Sequence, residues 1–160
     1  MAWSKSVKEG ESAETRFVID YLRSMGRPSA IHFADAYQNM KEHWDLSIDD
    51  MRIDVKARRR TSREKDFTDE VLIFELRNVN GDSGWGEGMS DAIAYESFSE
   101  WLIVDRARLL EHCLSRVDPS EPSDKYDGPY KKYSRKGRYD LFTWIPISDI
   151  GDFVLLKIPK

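Results

Sequence analysis

Residues 44–56 read "WDLSIDDMRIDVK", and their alternation constrains the fold more than any other feature of the chain. Trp44, Leu46 and Ile48 alternate with Asp45 and Ser47; Ile53, Val55 and Ala57 alternate with Arg52, Asp54 and Lys56. A period of two sends successive side chains to opposite faces of a sheet, so both arms are strands with one buried face. Asp49 and Asp50 are the natural turn between them. Matching apolar to apolar sets Leu46 against Ile53 and Trp44 against Val55. The same register places Asp45 opposite Asp54, with Cβ atoms roughly 4.5–5.5 Å apart, and like charges so placed destabilise a hairpin.

The rest of the chain supplies partners for such a hairpin. "GESAETRFVIDYLRSM" (10–25) has Phe17, Val18, Tyr21, Leu22 and Met25 at helical spacing, with Ser12 as the expected cap and Gly26 as the stop. Residues 29–42 fit either a short strand or a helical turn. "DEVLIFELRNV" (69–79) is apolar enough for a central strand of the sheet. "AIAYES" and "EWLIVD" predict two further strands, "RARLLEHCLSRV" (106–117) an amphipathic helix behind Asp105, and "DLFTWIPISDI" and "FVLLKIPK" closing strands. Residues 118–140, rich in Pro, Ser, Gly and charge, read as a long irregular insertion. The expectation is one α/β domain over residues 1–160, without repeats or low-complexity tracts.

With 160 residues, 34% charged and 40% hydrophobic, the chain can bury a real core. No apolar run is long enough for a membrane helix, and the polar N-terminus does not resemble a secretory signal. A soluble, cytoplasmic protein with no membrane partner is expected. The lone Cys113 excludes an internal disulfide and a multi-cysteine zinc site; it falls among apolar helix positions and reads as a buried structural thiol. The net charge of −4 hides an uneven distribution: six bases fall in "KARRRTSREK" (56–65) and five in "KKYSRKGR" (131–138). Arg58, Arg59, Arg60, Lys131, Lys132, Arg135, Lys136 and Arg138 are therefore the candidate phosphate contacts, with the interleaved tyrosines of "YKKYSRKGRYD" suited to stacking on bases. Solvated loops, with those tyrosines packed on the core, are the bland alternative.

Two facing aspartates require a proton, a cation or deep solvation. A hard divalent cation bridges carboxylates readily, and Lys56, two residues past Asp54, projects from the same strand face. Carboxylates, metal and ammonium together suit hydrolysis of a phosphodiester. A solvent-facing surface with weak ion pairs is the alternative.

The order helix, Asp45, hairpin, Asp54-x-Lys56 resembles the PD-(D/E)xK nuclease superfamily, and "GESAETRF" is similar to the G-x-x-x-E signature that opens the first helix of Holliday-junction resolvases. The resemblance is tight over about residues 10–57, topological to about 104, and does not cover the C-terminal third. Trp44 stands in place of the name-giving proline, and Asp54 in place of the commoner glutamate. The resemblance implies a restriction-endonuclease-like mixed central sheet flanked by helices. It also implies Mg²⁺ as cofactor, with Mn²⁺ as substitute. Asp45, Asp54 and Glu14 would be catalytic metal-linked acids and Lys56 the catalytic lysine. The substrate would be DNA, branched in the case of a resolvase, and the assembly a homodimer. A catalytically inactive DNA-binding or partner-blocking protein on the same fold is the runner-up.

"FELRN" offers a second acid-x-base pair, Glu75-x-Arg77, but arginine is a poor substitute where a lysine exchanges protons. Glu75 is kept as a supporting acid. His32, His43 and His112 lack metal spacing, and Asp91 reads as a turn residue. "GWGEG" (84–88) lacks a phosphate-loop lysine; it fits a turn with Trp85 packed on the domain or a loop entering a DNA groove. A third class, a protein-interaction domain without a nucleic-acid role, would expose an apolar patch around Trp3, Trp85 or Trp144.

Overall fold

The computed structural model describes the backbone from Lys5 to Lys160 and side chains from Ala13 onward. Its elements run α1 (Lys5–Met25), β1 (Ile31–Phe33), a π-helical turn (Gln38–Glu42), β2 (Leu46–Ile48), β3 (Met51–Lys56) and β4 (Val71–Arg77). These are followed by β5 (Ala92–Glu96), β6 (Glu100–Asp105), α2 (Arg106–Arg116), β7 (Leu141–Pro146) and β8 (Val154–Pro159). The protein is mixed α/β. Two compact units divide it, one built from Met1–Arg58, Ser90–Asp105 and Val154–Lys160, the other from Arg59–Met89 and Arg106–Phe153. Among the described residues no helix is long and apolar enough to cross a membrane.

In the first unit six strands form one sheet in the order β1-β2-β3-β5-β6-β8. β3 and β5 are parallel and every other pair is antiparallel. Ala13, Phe17 and Tyr21, spaced four apart on α1, are buried with Leu46, Ile48, Ile53, Val55, Ala92, Ala94, Trp101, Ile103 and Ile158 in one core. Such a stripe recurs once per helical turn, which is why the sequence folds as a helix laid on a sheet. Phe17 meets the edge of Trp101 at 5.2 Å, and the buried Asp20 accepts the Trp101 Nε1–H at 3.0 Å. The helix already runs at Lys5, so Ser12 lies inside it rather than capping it. Its end is as expected: Gly26 takes φ +60°, and its N–H closes on the Leu22 carbonyl at 3.2 Å.

The hairpin pairs Leu46 with Ile53, Ser47 with Arg52 and Ile48 with Met51, the register read from the alternation. Asp49 and Asp50 both adopt left-handed φ, 48° and 70°, the backbone of a two-residue turn that follows the strand twist. Asp49 is held there by exchanging backbone and side-chain bonds with Ala30, each 2.9 Å. Residues 29–42, ambiguous in sequence, contain both a strand and a helical turn.

In the second unit β4 pairs with β7, antiparallel, in a two-stranded sheet. The expectation that 69–79 forms a central strand of the main sheet is thereby corrected: apolarity marked its burial but not its partner. "GWGEG" packs against β4. A Cβ on Gly84 or Gly86 would lie 2.7 or 2.5 Å from the Glu75 carbonyl oxygen, so the close approach requires glycine. Trp85 is buried edge-on to Phe74 at 5.4 Å, which is the packed-turn alternative. Residues 118–140 lack helix or strand but are tied by backbone bonds. Asp118 N–H reaches the Tyr130 carbonyl, Tyr130 N–H the Trp144 carbonyl, and Tyr133 and Phe142 exchange bonds, all at 2.8 Å.

Candidate active site

The paired register of the hairpin ends at Leu46–Ile53, beyond which Asp45 N–H still bonds the Ile53 carbonyl at 2.9 Å. The expected Trp44–Val55 pairing is not made, because His43 takes a left-handed conformation (φ 59°, ψ 52°) and turns the chain as it enters β2. Val55 N–H donates instead to Asp45 Oδ2 at 2.7 Å, and Asn39 Nδ2 donates to Asp45 Oδ1 at 2.6 Å. Both oxygens of Asp45 are thus held, one by the strand it flanks and one by the π-helical turn. A side-chain carboxylate here takes the place of the missing main-chain acceptor.

Asp54 is buried in mid-strand, 3% exposed, on the sheet face opposite Ile53 and Val55. Lys56 Nζ lies 2.8 Å from its Oδ1. Its Oδ2 is buried without a hydrogen-bond partner. Burial pushes the Asp54 carboxyl well above the usual carboxylate range. The Lys56 ammonium pulls it back and the Asp45 charge adds to the rise, but burial wins. Burial together with the Lys56 and Lys41 ammoniums likewise lowers the basicity of the His43 imidazole. Asp45, Asp54 and Lys56 therefore come together, although the expected Asp45–Asp54 register pair is not made.

Glu14 lies on α1, and among the described residues no group of three His, Cys, Asp or Glu side chains that could hold a metal ion is found. It is half-buried on α1 next to Ala13, and the face α1 packs is the Ile53–Val55 side of the sheet. Glu75 is not beside the hairpin strands in sheet order. It belongs to β4, where its Oε1 accepts the Trp85 N–H at 3.2 Å, and that contact anchors the glycine turn. Asp91 accepts the Arg52 N–H at 2.8 Å and so ties β5's entry to the hairpin.

The bases divide. The Arg58 guanidinium lies 5.6 Å from the Phe98 ring centroid and that of Arg60 lies 4.6 Å from the Phe67 centroid, while Arg59 is exposed. In the insertion Lys131 pairs with Asp118 at 2.7 Å, Lys132 donates to the Pro119 carbonyl at 3.4 Å, and Arg135 grips the buried Asp140. Lys136 and Arg138 are exposed. The tyrosines Tyr126 and Tyr133 pack on Trp144 and Phe142, and Tyr130 donates to Asp149 at 2.6 Å. Base stacking by Tyr130 and Tyr133 is corrected accordingly; Tyr139 stays exposed. Trp85 and Trp144 are buried, so they form no apolar docking patch, and Trp3 lies outside the described residues. Cys113 is buried, which pushes its thiol up to about 12, too high for a nucleophile.

Two groups had no sequence signal. Glu96 ends an apolar strand yet is buried under Arg16 (3.0 and 2.8 Å) and Lys160 (2.9 Å). Asn39 clips Asp45 from six residues away. Around that clip Phe33, Tyr37 and Met40 are more than half exposed. Comparison with protein-family models, curated proteins and solved structures gives no match to this chain.

Proposed function

We propose that the protein is a divalent-metal-dependent DNA endonuclease on a restriction-endonuclease-like fold. The observation that carries the reading is the buried Asp54, with one oxygen on Lys56 and the other without a partner, beside a fully held Asp45. An orphaned carboxylate oxygen in an all-oxygen donor set fits a hard cation such as Mg²⁺ or Mn²⁺, and Asp45 and Asp54 are the residues that would hold it. When bound, such a cation polarises a phosphoryl oxygen and lowers the pKa of water. Lys56 neutralises charge that develops on the phosphate, and its position 2.8 Å from Asp54 keeps it beside the reacting group. Asp45 needs no reorganisation, since its carboxylate is already oriented.

The strand order supports the fold reading: an antiparallel β1-β2-β3 meander whose third strand then pairs in parallel with β5. Arg58 and Arg59, just beyond Lys56 in the chain, suit the substrate backbone. Exposed Phe33, Tyr37 and Met40 near Asn39 suit unstacked bases, which favours a branched or otherwise distorted DNA over intact duplex. The homodimer implied by the resolvase resemblance is part of the proposal and is checked by sedimentation.

The test is cleavage of branched, flapped and linear duplex DNA with Mg²⁺, with Ca²⁺ as the non-supporting ion and Asp54→Ala as control. Metal-dependent cutting by wild type alone supports the reading. DNA binding without any cutting transfers it to the runner-up, an inactive DNA-binding or partner-blocking protein.

A further inference from the structure

We infer that Asn39 is a positioning residue for metal binding at Asp45, an assignment that rests on the endonuclease reading. Asn39 sits in the π-helical turn, and that turn is built to hold it. Asp35 and Gln38 bond each other reciprocally, N–H to side chain, at 2.9 and 2.8 Å, and Asn39 N–H closes on the Asp35 carbonyl at 2.9 Å. At the other end Trp44 Nε1–H donates to Glu42 at 3.0 Å, and His43 leaves the turn in the left-handed conformation. The turn is pinned on both sides, and its one side-chain bond into the site is the 2.6 Å donation from Asn39 Nδ2 to Asp45 Oδ1.

The chemistry gives that bond a function beyond closing the turn. A carboxylate that ligates a cation with one lone pair binds best when its other lone pairs are already occupied by fixed donors, because its plane then cannot rotate. Val55 N–H alone would leave Asp45 free to swing about that single contact. With Asn39 added the carboxylate has two anchors, one on each oxygen. Asn39 is itself exposed, so its removal should spare the fold.

The experiment is Mn²⁺ titration followed by electron paramagnetic resonance on wild type, Asn39→Leu and Asn39→Gln, with thermal unfolding and DNA-cleavage kinetics alongside. Loss of an outer donor typically weakens metal binding about 10–100-fold. Asn39→Leu is expected to raise the Mn²⁺ Kd at least about tenfold and to lower kcat at unchanged KM for DNA, with the metal-free melting temperature unchanged. Asn39→Gln, which keeps the amide donor, is expected to recover part of the affinity. An Asn39→Leu protein with wild-type Mn²⁺ affinity overturns the inference while leaving the endonuclease reading intact. A melting temperature that falls with no change in Kd assigns Asn39 to the turn alone and overturns it too. A wild type that neither binds Mn²⁺ nor cuts DNA removes both.

Discussion

Two buried carboxylates on neighbouring strands of the same sheet meet opposite fates. Glu96, at the end of β5, is saturated: Arg16 grips both oxygens, Lys160 adds a third bond, and these cations hold its carboxyl below the usual range despite burial. Asp54, in β3, has one lysine and an orphaned oxygen, and burial drives its carboxyl well above that range. A protein able to build the first arrangement can satisfy a buried acid. At Asp54 it does not, and that orphaned oxygen is the feature on which the proposed metal site rests.

The sharpest way to break this contrast is to remove each member. Asp54→Ala and Lys56→Ala are each expected to lower cleavage by about a thousandfold or more and to leave DNA affinity within about threefold, measured by gel shift alongside single-turnover cutting. Saturating Mg²⁺ comes next. At about a hundred times its Kd it adds about 2.7 kcal/mol to wild type, seen as a melting temperature raised about 7 °C, and Asp54→Ala shows no such rise. Glu96→Gln should do the reverse: lower the melting temperature by about 6 °C while cutting persists at 25 °C. Breaking a buried ion pair costs about 3–5 kcal/mol, and the half-exposed Arg16, 42% accessible, recovers solvation and brings this to about 2 kcal/mol.

The two acids also differ in the sign of their pH dependence. The lowered Glu96 group stabilises the fold above about pH 4.3, its unfolded value, and that contribution is lost as pH falls through the lower folded value, so the Glu96→Gln penalty should shrink in acid. The raised Asp54 group works oppositely. Its contribution is full below about pH 4 and is lost as pH rises towards its folded value. Metal-free Asp54→Asn should therefore gain melting temperature over wild type as pH rises above about 4, with no gain below it. Identical pH profiles for the two variants would erase the distinction. The smallest effect is expected in the insertion. Lys136→Glu with Arg138→Glu should weaken DNA binding a few-fold and reduce its salt slope by about one to two. Arg135→Glu also strips the partner from the buried Asp140, and its consequence is loss of stability.

Runs of like chemistry in the sequence proved unequal guides to these places. The hairpin register was legible from Leu46 to Ile53 because a one-residue slip would turn Leu46, Ile48, Ile53 and Val55 out of the core; it put Lys56 on the face of Asp54, while the expected Asp45–Asp54 pair is not formed. The basic insertion was legible only as charge. Its acids, Asp118 and Asp140, lie far enough along the chain from Lys131 or near enough to Arg135 to look incidental, yet they neutralise both. Glu14 carried a helix signature but no indication of which helix face would meet the sheet. Glu75 shared β4's apolar pattern, which fixes burial and leaves the pairing partner open.

What the sequence alone determined is therefore local and periodic: an alternating hairpin, its turn at Asp49–Asp50, the helical spacing that buries Phe17 and Tyr21 and the glycine at the end of α1. Period and conformational preference act between near neighbours, so they can be read along the chain. Only the tertiary structure decided that β4 pairs with β7, that Arg16 and Lys160 converge on Glu96, and that Asn39 reaches Asp45 while Asp54 Oδ2 has no hydrogen-bond partner among the described residues. Those outcomes depend on which distant groups share a small buried volume, and the cost of leaving a polar atom unmatched there is set by packing, which no local pattern encodes.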